Sequence, residues 1–214
     1  MAQLKALNIS LSQDGFMAGV SQSLESPLGA NGEKLHKWAF ATKSFRQWHG
    51  ETGGEVGIDD DFIRDGFTNI GATIMGRNMF GPIRGEWPNY EWTGWWGDNP
   101  GFKHPVFVLT HFARPTIEFD NGTSFTFVTT GLDAAYRLAM DAAGEQDVRL
   151  GGGASTIQQY LKSGQLDELH IATSPIRLWA GEKLLADQGN ELANYELKSQ
   201  VASDAVTHSV YRKK

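Results

Sequence analysis

The chain has 214 residues, 40% hydrophobic and 21% charged, an ordinary globular balance that excludes a disordered or membrane-protein class and suits one domain over 1–214. A net charge of −6 and a pI near 5.5 argue against nucleic acid, whose polyanion needs a concentrated basic face. The sequence has no cysteine, which excludes disulfides, thiolate catalysis and sulfur-ligated metal; with six scattered histidines, no metal is expected.

The first residues, MAQLKALNIS, lack the charged-then-apolar order of a signal, and no apolar run could span a bilayer. The expectation is a cytoplasmic protein with no membrane partner. Residues 4–12, LKALNISLS, alternate as a strand buried on at least one face. Over 32–48 the spacing of Leu35, Trp38, Ala39, Thr42 and Phe45 predicts one helix, and DDDFIRDGFTNI (59–70) predicts another, opened by acids that suit the helix dipole. Strands follow at 71–77, 105–111 and 124–129, then a helix at 132–143, the short strand DVRL (147–150), a glycine turn, and a helix striped by Thr156, Ile157, Tyr160 and Leu161. A strand at 167–176 and two terminal antiparallel strands, 194–203 and 204–214, complete the chain. Strand and helix alternate, so the fold class is α/β: a mostly parallel central sheet with helices on both faces, and an antiparallel C-terminal hairpin.

Residues 81–102 interrupt this order with four of the seven tryptophans, three prolines and five glycines. That composition forbids a long helix or a central strand. Two readings stand: an aromatic cluster packed on the body, or a lid whose flat rings meet a ligand or a subunit.

Ligands of open α/β sheets bind at the carboxyl ends of the strands. Three such ends carry suggestive residues: Gly76-Arg77, Thr110-His111, and the turn Gly151-Gly152-Gly153-Ala154-Ser155-Thr156. Three glycines before a helix let an anion approach the backbone, where free N–H groups point at it. Arg77 and His111 suit a further phosphate.

In their order along the chain, MGR after a strand, GGGAST before a helix, LDELHIATSPI, and a hairpin ending HSVYRK resemble the dihydrofolate reductase fold. LSQDGFMAG and SPIRLWAGEKLL are similar to its branch found as the reductase domain of the bifunctional riboflavin-biosynthesis enzyme. The resemblance implies hydride transfer from NADPH to a heterocyclic small molecule, and a homodimer. It implies that Gly76, Arg77 and Asn78 meet the pyrophosphate and adenosine end, with Thr110 and His111 near the ribose phosphate. Gly151, Gly152, Gly153, Ala154, Ser155 and Thr156 hold the opposite side, and Met17 and Ala18 border the nicotinamide. The substrate side is assigned to Asn8, His36, Phe80, Trp95, Trp96 and Thr173. Authentic dihydrofolate reductases grip the pterin with an acid early in the first long helix. Here Glu33 is the nearest carboxylate and Asp14 the competing one, so these two are the catalytic candidates, with His36 a proton donor near neutral pH. Three functions follow: a riboflavin-type pyrimidine reductase, a folate or pterin reductase, and a nucleotide-binding module without catalysis.

Overall fold

The structure is a computed structural model and describes residues 2–81, 84–185 and 190–214. Pro82 and Ile83 of the tryptophan-rich loop lie outside the described residues. In chain order the elements are β1 (Leu4–Leu11), β2 (Phe16–Ala18), a 3-10 turn (Gly32–His36), α1 (Lys37–Phe40), α2 (Lys43–Trp48), α3 (Ile58–Phe67), β3 (Ile70–Gly76) and α4 (Arg77–Phe80). Then come β4 (Pro105–Leu109), β5 (Ile117–Glu118), β6 (Ser124–Val128), α5 (Leu132–Ala143), β7 (Asp147–Leu150), α6 (Ala154–Ser163), β8 (Glu168–Thr173), β9 (Glu182–Lys183), β10 (Tyr195–Ala202) and β11 (Thr207–Lys213).

The main sheet runs β10-β11-β8-β1-β7-β3-β4-β6-β5. Its central pairs are parallel, while β10, β11 and β5 join antiparallel. Strand side chains alternate between two faces, so each central strand feeds two cores. On β3, Ala72 and Ile74 join the cluster that contains Ala135 and Ala139 of α5 and Ile157 and Tyr160 of α6. Met75 points the other way, into a cluster with Val106, Val108, Phe80 and Phe102 against which Trp48, Trp87, Trp92 and Trp96 pack. A third cluster places Trp38 and Ala39 of α1 and Ile63 of α3 against Ala172 of β8. Helices therefore cover both faces, as the alternation of elements predicts.

The helix expected over 32–48 is three pieces. Thr42 is extended (φ −74°, ψ 150°), and its hydroxyl accepts from the Phe45 amide, capping α2. The Lys43 amide then donates to Glu55 O, so a neighbouring loop takes a bond that a continuous helix would use. The helix expected to reach residue 70 stops at Phe67, because Thr68 is extended and Ile70 already belongs to β3. The strands expected over 105–111 and 167–176 end at Leu109 and Thr173, and the residues beyond them form the site loops.

Across the face of β8 and β11 that meets α3 lies a buried polar chain. At a bulge between Ala6 and Ile9, the Asn8 amide donates to His170 Nδ1 at 3.2 Å. His170 Nε2 and His208 Nδ1 are 3.0 Å apart, and His208 Nε2 lies 2.7 Å from Asp59 Oδ1. The Asn8 donor fixes the tautomers: both rings are neutral, and each Nε2–H donates onward toward Asp59. Phe62 stacks on both imidazoles at 4.3 and 4.1 Å. Burial, then the adjacent His208, pushes His170 down to about 3; burial also lowers His208, opposed by Asp59.

A histidine held neutral when folded binds its proton only on unfolding. Its contribution is therefore intact above the ordinary value of 6.5 and is lost as pH falls from there toward 3. At pH 5 the loss from His170 is on the order of 2 kcal/mol. Urea unfolding at pH 7 and pH 5 checks this: wild type loses stability, and His170→Gln, which cannot titrate, loses correspondingly less. Equal losses in the two proteins would contradict the assignment.

Candidate functional site

The carboxyl ends of β3 and β7 meet at one point. The Gly76 amide donates to Gly152 O at 2.7 Å, and the Gly151 amide donates to Ile74 O at 2.8 Å. A Cβ on Gly76 would stand 2.3 Å from Thr156 Oγ1, an overlap that only glycine avoids. Gly152 has φ +115°, where side chains are strained, and its Cβ direction faces Met17 and Met79 at 3.6 Å. Gly153 differs: its φ is −76° and a Cβ there would meet nothing within 4 Å. The amides of Gly152 and Gly153 make no hydrogen bond among the described residues. At the start of α6 the backbone thus offers open donors and space, an arrangement that takes an anion.

Arg77 opens α4 immediately after Gly76. Its Nη1 donates to Gly85 O at 2.6 Å and to Thr110 Oγ1 at 3.4 Å, and its guanidinium sits 3.7 Å over the Trp87 ring. Nε and Nη2 are buried with no hydrogen-bond partner. Burial, followed by the charges of Arg84 and Arg114, lowers its pKa. No carboxylate answers this cluster among the ion pairs of the described residues, so it is an electropositive corner beside Thr110. His111, the next residue, is exposed, as are Asn78 and Ser155.

The first loop closes the near side through a two-stranded sheet of β2 and β9. Met17 on β2 packs against the main core. Asp14 ties the sheet down: Oδ1 accepts from the Ser12 hydroxyl (2.6 Å) and the Leu178 amide (3.1 Å), and Oδ2 from the Trp179 amide (2.7 Å). Burial raises its pKa, but these donors outweigh burial and hold the net value below the carboxylate norm. A carboxylate so occupied is a loop anchor and not a proton donor.

Glu33 is exposed on the 3-10 turn, next to Gly32, whose Cβ direction meets the Gly19 amide at 3.2 Å; it therefore sits beside the first loop. Burial lowers His36 to about 4, so it is neutral at neutral pH and carries no imidazolium proton to give. Its Nε2 is buried without a partner.

The structure gathers Met17, Gly76, Arg77, Thr110, Gly151, Gly152, Gly153, Ala154 and Thr156 around the strand ends, while Ala18, next on β2, faces Gly32 and Gly181, and Thr173 ends β8, beside Leu11 of β1. Other residues assigned to substrate are spent on packing. Phe80 is fully buried, with Trp87, Phe125 and Phe127 edge-on at 5.9, 5.4 and 5.0 Å. Its removal would leave a cavity costing about 3–5 kcal/mol. Trp96 meets Trp48 and Phe102 edge-on, and Trp95 lies against Trp92 at 5.3 Å. Of the two readings of the tryptophan-rich loop, packing on the body fits these contacts. Asn8 has φ 59° and turns its amide side chain under α3, where a Cβ on Gly66 would come within 2.0 Å of Nδ2. Sequence reasoning missed Met79, Trp87 and Arg114. Met79 is only three residues past Gly76 and could have been included, whereas Trp87 and Arg114 reach the corner through long-range packing.

The parallel sheet, the glycine turn at a strand end and the C-terminal hairpin define the dihydrofolate reductase-like class. Residues 6–208 match the model of the RibD C-terminal domain, and the chain belongs to that family. A search of curated proteins finds no match. Among solved structures, the chain is similar to a candidate riboflavin biosynthesis protein from Shewanella sp. PV-4, with 19% identity, a TM-score of 0.59, and 100% and 99% of the two chains covered. It is also similar to dihydrofolate reductase from Enterococcus faecalis in complex with NADP(H) and RAB-propyl, with 13% identity, a TM-score of 0.50, and 99% and 96% covered. At these identities the two likenesses carry the fold.

The glycine geometry separates three substitutions. Gly76→Ala and Gly152→Ala are expected to destabilise the protein by about 1–3 kcal/mol, one by overlap and the other by backbone strain. Gly153→Ala should stay within about 0.5 kcal/mol of wild type. Denaturant unfolding of the three variants measures this; a Gly153→Ala loss equal to the others would contradict the open space assigned to it.

Proposed function

We propose that the chain is an NADPH-dependent reductase that transfers hydride to a heterocyclic small molecule, as 5-amino-6-(5-phosphoribosylamino)uracil reductase does. The observation that carries this reading is the pairing of a side-chain-free bed at Gly152 and Gly153 with a guanidinium at Arg77 that keeps two buried, unpartnered nitrogens. Both suit an anion, and lying on neighbouring strand ends they suit a cofactor with phosphates at two places. Gly76, Arg77, Asn78 and Gly151 to Thr156 would hold the pyrophosphate. Arg77, Thr110 and His111 would select the additional ribose phosphate, and Met17 and Ala18 would border the nicotinamide.

NADPH supplies the hydride when bound. The chain's own work is positional. The Asp14 anchor fixes the first loop against 178–179, and the small sheet of β2 and β9 shields the near side of the strand ends from water. Glu33, beside that loop, and His36 and Thr173 are the groups assigned to the substrate. A folate or pterin reductase is less well supported, because Asp14 is fully engaged and Glu33 is exposed with no partner that would aim it. One domain over 1–214 is supported by a single hydrogen-bonded sheet that uses residues from Leu4 to Lys213.

Fluorescence titration with NADPH and NADH, followed by NADPH oxidation with 5-amino-6-(5-phosphoribosylamino)uracil, tests the proposal. Arg77→Ala should weaken NADPH by about ten- to a hundredfold more than NADH, the worth of hydrogen bonds to a charged group. Gly153→Ala should weaken both while the protein stays folded. Equal losses in Arg77→Ala would move that residue away from phosphate selection. NADPH binding without turnover of any pyrimidine or pterin would favour the non-catalytic module.

The homodimer is proposed on the edge strand β10, whose residues after Tyr195 are all exposed, including Leu197 at 49% and Val201 at 37%. Light scattering at micromolar concentration should give twice the 23.6 kDa chain mass. A monomer would contradict it.

A further inference from the structure

Away from the strand ends, a recess of about 270 Å³ opens on the sheet face opposite α5 and α6, in the seam between α2, α3 and the start of β4. Its walls include Trp48, Phe67 and Phe102, with Lys103, His104 and Arg149 among them. Val148 and Leu150 face the α5 and α6 core, so alternation along β7 sends Arg149 to the opposite side. Its guanidinium lies 4.7 Å over the Phe67 ring, and Trp48 stacks on that same ring at 5.3 Å and 6°. Phe102 stands edge-on to Trp48 at 5.4 Å.

The Arg149 guanidinium makes no hydrogen bond and no ion pair with any described residue, and its Nε is buried. The chain carries 25 acidic residues against 19 basic ones, yet among the described residues no acid lines the recess. Burial lowers the guanidinium only to about 10, so the charge persists at neutral pH. His104, lowered to about 4 by burial and then by Arg149, stays neutral, and its Nε2 is engaged by Thr73 Oγ1 at 2.8 Å. A half-buried cation without a counter-charge keeps positive potential in the recess, and that suits an anion from outside.

We infer that this recess is a binding site for a small planar aromatic carboxylate. The Arg149 fork takes the carboxylate as a bidentate pair, with Lys103 at the rim, and the ring lies among Trp48, Phe67 and Phe102. The volume exceeds the roughly 150 Å³ that accommodates benzene in an engineered apolar cavity, leaving space for the added carboxylate. The site is separate from the Gly76 and Gly152 region and stands whether or not NADPH binds there.

Thermal unfolding of the full chain with sodium benzoate, benzamide or inorganic phosphate tests it, since a ligand that binds only the folded state raises the melting temperature. Benzoate should stabilise in a saturable way, with an affinity at least about tenfold above that of benzamide, its uncharged isostere, and above phosphate. Arg149→Met should melt no lower than wild type, because an uncompensated charge is removed, and should lose the benzoate response while keeping its NADPH affinity. Benzamide or phosphate matching benzoate, or a benzoate response retained in Arg149→Met, would overturn the assignment. The three-ligand comparison on wild-type protein decides the matter even where Arg149→Met fails to fold.

Discussion

The end of β3 can touch the turn after β7 because its last residue, Gly76, carries no side chain at the contact. Gly76 donates to Gly152 O at 2.7 Å, and the place where its Cβ would stand is taken by Thr156 Oγ1 at 2.3 Å. This closeness places the first residue of α4, Arg77, and the first turn of α6 side by side. The Arg77 guanidinium and the start of α6 then lie at one end of the sheet, an electrostatic condition that suits phosphates. The rest of the fold supports that contact: α5 and α6 brace one face through the Ala135, Ala139, Ile157 and Tyr160 cluster, and the aromatic cluster braces the other.

The aromatic residues also determine where positive charge can reside. Arg77 lies over Trp87; Arg114, buried, faces Phe80, Trp87, Tyr90 and Phe127 within 4.9 to 5.6 Å; and Arg149 lies over Phe67. In each case ring faces, and not carboxylates, hold the cation, so among the described residues no acid consumes its hydrogen-bonding edge. In a protein with a net charge of −6, this arrangement keeps local positive potential where an anionic ligand can use it.

Much of this was legible in the sequence, for physical reasons. Hydrophobic periodicity marks α5 and α6 because each buries a regular face, β3 and β4 read as short apolar runs because both their faces are buried, and the glycine turn stands out by its three consecutive glycines. The break at Thr42 was not legible: its apolar stripe is continuous, and what ends the helix is Glu55 O, thirteen positions away, taking the Lys43 amide. Asp14 reads as a catalytic carboxylate until its partners across 164 positions of sequence are known. Phe80 and Trp96 read as ligand-facing because aromatic density is the same signal whether rings stack on a ligand or on each other. The strands β2 and β9 are too short to leave a period.

Backbone amide NMR during titration with NADPH is the most direct measurement of whether the contact between β3 and the glycine turn is a cofactor bed. A cofactor bed there requires the largest saturable shifts at Gly76, Arg77, Gly152, Gly153, Ala154 and Ser155, with the amides of β10 and the Arg149 recess unmoved. Shifts centred elsewhere, or none at saturating NADPH in a folded protein, would contradict it.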